Sequence, residues 1–305
     1  MSKISVLIPT YNAAGYLSEL IPGLLNQKRS SNDELEIIVV DSSSTDRTRD
    51  ILSRDYPEVT VHTIDNKQFD HGGTRNLLAN LATGDFLLFM TQDAIPYNDE
   101  LLVNLKSEFA DENVLVCYAR QIPKLDASPL EVFARSFNYP DRRFVKDQAA
   151  LKEIGIKTFF NSNVCSMYRS SDFHKNGGFP EKIILNEDMI YASKVIFGGK
   201  KVVYAAAAKV YHSHNYSLKQ QFKRYFDIGM AFDETKYLLE HASNEKEGMR
   251  MVKKQLKYLI EMKKPYMIPY AIIEAASKFI GYNLGKRHQK MPQKWKKRYS
   301  AYMKG

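Results

Sequence analysis

Short apolar runs alternate with amphipathic stretches over the first 120 residues. ISVLIP at 4–9 and EIIVVD at 36–41 are nearly continuous aliphatic runs, the pattern of strands buried on both faces. VTVHTI at 59–64, DFLLFM at 85–90 and VLVCYAR at 114–120 repeat it. Between them, apolar residues at helical spacing predict helices over 16–26, through Ile51 and Leu52, over 72–82 and over 99–109. This alternation predicts an α/β fold around a parallel sheet, with ligands at the carboxyl ends of the strands. Residues 121–160, including the aromatic and basic stretch FNYPDRRF, read as loop-rich. A strand at 161–168, a helix at 186–197 and a strand at 200–212 follow, and from Leu218 the chain reads almost entirely helical.

With 305 residues, 44% of them hydrophobic, the chain can bury a large core, which excludes a disordered or disulfide-stapled protein. Cys117 and Cys165 each sit in an apolar run and read as reduced core thiols. The first residues enter a strand pattern with no apolar leader before them, and no run of about 18 apolar residues occurs, so neither a secretory signal nor a clean transmembrane helix is expected. The net charge of +9 is divided unevenly: residues 246–305 hold sixteen Lys and Arg against three acids, a net of +13, which leaves −4 for residues 1–245. The basic stretch interleaves its charges with Tyr266, Ile272, Ile273, Phe279 and Trp295. That is the pattern of a helix lying in a membrane interface or of a basic helical subdomain packed on the body. It carries no zinc-finger or RNA-recognition signature, so no nucleic-acid partner is expected.

The chemistry-bearing residues gather at predicted strand ends. Asp41 ends the second strand and is followed by SSSTD, so Ser44 or Thr45 reads as a helix cap while Asp41 is left at the tip, able to meet a base. Thr91-Gln92-Asp93 follows the fourth strand, and Asp93 there is a solvated loop acid or a ligand for a divalent cation. FDHGGTRN places His71 and Arg75 at a helix start, where a phosphate can bind, although the spacing is not that of a P-loop. Glu187 and Asp188 open a helix, where the dipole favours acids whatever their role and where one of them can be a general base. His212 and His214 follow the last strand as metal ligands or phosphate donors.

In this order the motifs resemble the family 2 glycosyltransferases with the GT-A fold, over about residues 3–240. FDHGGTRN, TQDA and YHSHNYSLKQQFKRYFDIG are similar to the bacterial rhamnosyltransferases of that family. The resemblance implies a Rossmann-like, mainly parallel mixed sheet flanked by helices, with a catalytic domain over 1–240 and a basic helical extension over 241–305. It implies an inverting transfer of L-rhamnose from dTDP-L-rhamnose to a polyprenyl-diphosphate-linked glycan in cell-surface polysaccharide synthesis, on the cytoplasmic face of the plasma membrane. Transfer of a hexose or N-acetylhexosamine is the alternative within the family, and a non-catalytic binding protein the alternative outside it. Thr10, Tyr11, Asn12, Asp41, His71, Arg75 and Gln92 would meet the nucleotide sugar. Asp93 matches the last acid of the D-x-D motif and, with His212 or His214, would hold Mg²⁺ or Mn²⁺. Asp188 matches the catalytic base, with Glu187 beside it. Gln221, Arg224 and Tyr225 match the Q-x-x-R-W motif at the acceptor side. Thr91 stands where D-x-D begins with Asp, and Tyr225 stands for Trp, which argues against a processive synthase. An anionic membrane surface is the expected partner of the extension, and a homo-oligomer is compatible with all of this.

Overall fold

The computed structural model describes residues 2–240 and 245–303. Its strands are β1 Ser2–Thr10, β2 Asp33–Asp41, β3 Thr60–Thr63, β4 Phe86–Met90, β5 Ile95–Pro96, β6 Val114–Ile122, β7 Phe144–Lys146, β8 Cys165–Arg169 and β9 Lys201–Tyr211. They form one mixed sheet in the order β3-β2-β1-β4-β8-β6-β9-β5, with β7 on β9. The helices are α1 Ala14–Leu25, α2 Thr48–Asp55, α3 His71–Leu81, α4 Leu101–Ser107, α5 Pro129–Asn138, α6 Ala150–Ile154, α7 Ser170–Lys175, α8 Glu187–Phe197, α9 Leu218–Glu234, α10 Lys236–Glu240, α11 Glu245–Glu261, α12 Ile268–Gly285 and α13 Gln293–Tyr299.

Alternation along β1 builds two cores. Ile4, Val6 and Ile8 join Leu17, Leu20 and Leu24 of α1 and Leu101 and Leu105 of α4 on one side of the sheet. Leu7 faces the opposite side, with Leu78 of α3 and Tyr191 and Ile196 of α8. The two-residue side-chain period of a strand buried on both faces produces this division.

Strand direction locates the site. β1 pairs in parallel with β2 and β4, and β2 with β3, so the ends of all four reach one edge. β8 runs antiparallel between β4 and β6, with Cys165 opposite Met90. Its lead-in, rather than its end, therefore lies at that edge. β6 and β9 are parallel to each other and finish there, with Ile122 opposite Tyr211.

The segment 121–160 is more ordered than its composition suggested. Ser128 caps α5 by accepting the Glu131 N–H, with Pro129 at the first turn, and Leu130 and Phe133 are buried. The Ser-Pro-x-Glu start is the local signal for this helix. The strand expected from residue 161 begins only at Cys165. Neither Ser44 nor Thr45 caps α2: its cap position is Arg47, which makes no side-chain cap bond, and Asp46 before it accepts the Thr48 N–H at 3.0 Å.

The C-terminal helices pack onto the body through α9. A Cβ on Gly281 would lie 2.5 Å from the Phe222 carbonyl oxygen, and one on Gly285 2.0 Å from that of Phe226. The two helix backbones thus cross in contact, and only glycine fits. Glu274 and Lys278 pair at 2.6 Å and turn inward, with Gln221 donating to Glu274 at 3.1 Å. The expected domain boundary at 240/241 falls beside 241–244, outside the described residues. Gly285→Ala should push the crossing apart at about 1–3 kcal/mol, read as a lower unfolding midpoint.

Candidate active site

Three side chains converge at the sheet edge. Asp93, just past β4, places Oδ2 3.2 Å from Nε2 of His214 and 3.6 Å from Nε2 of His212. The two imidazole Nε2 atoms are 3.1 Å apart. Burial pushes His212 down to about 4, so at neutral pH it is the uncharged, ligating form. Burial alone would raise the Asp93 carboxyl, but the His212 and His214 imidazoles beside it outweigh burial and hold the group well below the usual range. His212 Nδ1 lies 2.8 Å from Oε1 of Gln121. An amide oxygen there accepts Nδ1–H and leaves Nε2 free as a ligand atom. Gln121 is itself bound by Arg135, the Tyr139 hydroxyl and Ser162. One carboxylate and two oriented imidazoles fit a divalent cation, and the nitrogen ligands suit Mn²⁺ better than Mg²⁺. Gln121→Ala should weaken Mn²⁺ binding by about 10–100-fold, as loss of such supporting bonds does, measured by titration calorimetry.

A second group lies under α8. Glu187 and Arg75 are buried together at 3.1 Å. Burial alone would raise Glu187, but Arg75 and then His71 outweigh it and hold the carboxyl below its usual value. Asp188 behaves in the opposite way: burial first, then the Glu187 charge, push it up to about 7. Its Oδ2 accepts the Asn163 N–H at 3.0 Å and its Oδ1 the Met189 N–H at 2.7 Å. Asn163 also donates from its side chain to Glu187 at 3.2 Å. Asp188 keeps partial exposure, so an incoming hydroxyl can reach it.

The helix start expected to receive a phosphate is engaged within the protein. The Gly73 N–H donates to Asp70 at 2.7 Å, and Arg75 is paired with Glu187. Asp41 is fully buried, accepting from the hydroxyls of Thr10 and Ser44 and from the Ser44 N–H. Its first role is to hold the loop after β2. Gln92 likewise grips the backbone of Tyr11, accepting at 2.8 Å and donating at 3.1 Å. Asn12, in left-handed conformation at φ 53°, accepts the Thr45 N–H. These bonds shape a rim from which the Tyr11 ring stands 45% exposed.

Of the expected acceptor residues, Gln221 and Tyr225 face α12 rather than the site. Gln221 binds Glu274, and Lys278 sits over the Tyr225 ring at 5.7 Å. Arg224, on another face of α9, does join the site: its guanidinium lies 5.7 Å from the Tyr216 ring, which stacks on His214. Sequence reasoning missed Gln121, Asn163 and Tyr216. Gln121 lies near a strand end, the same cue that marked Asp41 and Asp93. Asn163 lies in the lead-in to an antiparallel strand, and nothing local marks that reversal.

The Glycosyl transferase family 2 profile matches residues 5–177. The O-antigen chain rhamnosyltransferase RfbN of Salmonella typhimurium is 41% identical over 302 residues, 98% of this chain and 95% of that protein. The O-antigen chain rhamnosyltransferase WbaN of Salmonella anatum is 40% identical over 305 residues, 99% of this chain and 95% of that one. Among solved structures, a mannosyltransferase of Pyrobaculum calidifontis in complex with GDP-Man and Mn²⁺ superposes with a TM-score of 0.59, covering 98% of this chain and 84% of that one at 16% identity. TarS 1–349 of Staphylococcus aureus superposes with a TM-score of 0.55, covering 94% and 91% at 18% identity. The fold is the GT-A arrangement of these neighbours. With a profile over more than half its length and relatives matched nearly end to end, the chain belongs to glycosyl transferase family 2.

Proposed function

We propose that the protein transfers L-rhamnose from dTDP-L-rhamnose, with inversion, to a polyprenyl-diphosphate-linked glycan during cell-surface polysaccharide synthesis. The observation that carries this reading is the 41% identity to an O-antigen chain rhamnosyltransferase across 98% of the chain. The site geometry supplies the means. Asp188 takes the proton of the acceptor hydroxyl as its oxygen attacks the anomeric carbon from the face opposite the diphosphate. The bond to the diphosphate breaks in the same displacement, so no covalent enzyme intermediate forms. Asn163 and the Met189 N–H hold the carboxylate in place, and Glu187, tied to Arg75, keeps its proton affinity high. Asp93, His212 and His214 would hold Mg²⁺ or Mn²⁺, which when bound neutralises charge on the departing diphosphate. The Tyr11–Asn12 rim and the loop held by Asp41 would border the nucleotide. A panel of nucleotide sugars tests the donor: nucleoside diphosphate release should be fastest from dTDP-L-rhamnose. Faster release from a hexose or N-acetylhexosamine donor would replace that assignment.

In this reading residues 1–240 carry catalysis and 241–305 bring the body to the inner leaflet, where the acceptor lies. No described helix is long and apolar enough to cross a membrane. Yet Ile272, Ile273, Phe279 and Ile280 of α12 are each more than half exposed, while Glu274 and Lys278 point to α9. An apolar face with its charges turned into the protein suits an in-plane contact, and Lys263, Lys264, Lys286 and Arg287 flank it. Co-sedimentation with anionic vesicles should be strong at low salt and fall steeply as salt rises. No binding at low salt would leave the extension as packing alone.

A further inference from the structure

Beyond α13 the chain doubles back along α9. Lys223 Nζ donates to the Ser300 carbonyl at 3.1 Å, and Asp227 accepts the N–H groups of Ala301 at 2.7 Å and Tyr302 at 3.2 Å. Ser300 Oγ accepts the N–H groups of Tyr302 and Met303. The strap so fixed delivers one side chain to the site. The Tyr302 hydroxyl accepts from Arg224 at 2.9 Å, and its ring meets His71 edge-on at 5.3 Å between centroids.

Arg224 is half-buried, and among the described residues no carboxylate lies within 4.0 Å of it. Its partners are a phenol and the Tyr216 ring, neither of which neutralises it. A half-buried guanidinium with no carboxylate beside it can receive an anion, and its planar fork suits phosphate oxygens. Tyr216, stacked on His214 with centroids 4.9 Å apart, links it to the Asp93–His212–His214 group.

We infer that Tyr302 is a positioning residue of this site: its hydroxyl holds the Arg224 guanidinium in the orientation that receives a diphosphate. The inference rests on the transferase reading above. The diphosphate is that of the nucleotide donor or that of a lipid-linked acceptor, and the closeness of Arg224 to the His214 side favours the donor.

The test uses the full chain with Tyr302→Phe, Arg224→Met and the double variant. Calorimetry measures dTDP binding with Mn²⁺ and no acceptor, kinetics measure KM for each substrate, and thermal unfolding measures the fold. Tyr302→Phe keeps the ring on His71 and removes the hydroxyl. It should weaken dTDP binding and raise donor KM by about tenfold, as loss of a bond to a charged group does, with the unfolding midpoint unchanged. The double variant should bind dTDP no worse than Arg224→Met alone, because the hydroxyl acts through the guanidinium. A rise in acceptor KM with dTDP affinity intact would support the same role with the diphosphate assigned to the acceptor. Wild-type dTDP affinity and both wild-type KM values in Tyr302→Phe would overturn the inference, as would strict additivity with Arg224→Met. An unfolding midpoint lowered by several degrees with binding and KM unchanged would mark a merely structural contact and also overturn it. A wild-type protein that binds no dTDP and uses no nucleotide sugar would instead overturn the transferase reading, and this inference with it.

Discussion

Asp188→Asn removes about 10²–10⁴-fold from kcat, the typical loss of a general base, while dTDP-sugar affinity stays near wild type. The amide fills the same space, and its one oxygen can still accept from either Asn163 or Met189, so the start of α8 keeps its place with one of the two bonds lost. It cannot take a proton. The wild-type pH profile carries a second signature of the same group. A base works as its carboxylate, and Asp188 is pushed up to about 7. Activity therefore rises with pH through about 7 and falls away on the acid side. Burial is the larger cause of that position and the Glu187 charge the next, while Arg75 opposes both. Glu187→Gln deletes the raising charge while burial still raises the group and Arg75 still lowers it, so the acid limb moves to lower pH. A pH–rate profile of kcat checks both statements. Near-normal turnover in Asp188→Asn, or an acid limb unmoved by Glu187→Gln, would assign the base elsewhere.

Asp93→Ala is the second large effect: about 10²–10³-fold lost in kcat, the scale of removing one preorganised group that stabilises developing charge. Its carboxylate is the one hard oxygen ligand of the group, and two imidazoles alone bind a divalent cation weakly. The variant should also lose donor affinity and its response to added Mn²⁺. In the wild-type protein a chelator should reproduce the loss and Mn²⁺ should restore more activity than Mg²⁺. Full activity in chelator would remove the metal from the reaction.

Strand ends marked Thr10, Asp41 and Asp93, and the helix after them marked Asp188, because a parallel sheet exposes its chemistry at one edge whatever its loops do. The pairing of Arg75 with Glu187 was not legible. It joins a helix start near residue 71 to another near 187, and no local pattern reports a contact between them. Asn163 was hidden for a related reason: apolar runs announce β8 but not its direction, and only its reversal between β4 and β6 brings the lead-in to the site. Gln221 and Tyr225 carried a motif whose side chains serve packing here, because α12 covers that face of α9. Tyr302 had no sequence signal; it depends on the turn that Asp227 and Ser300 hold.

The order in which the chain is made sets when it can work. A nascent chain that has emerged through α9 holds every strand of the sheet together with Asp93, His212, His214 and Asp188. It still lacks α12, so the α9 flank around Phe222, Phe226 and Gly229 remains bare while translation continues. Covering that flank and delivering Tyr302 are late, post-catalytic-core events. A ribosome that stops early should thus release a chain whose α9 flank is uncovered, a ready client for chaperones and proteases. Messages truncated before α12 should therefore yield protein that is cleared faster than the full-length chain.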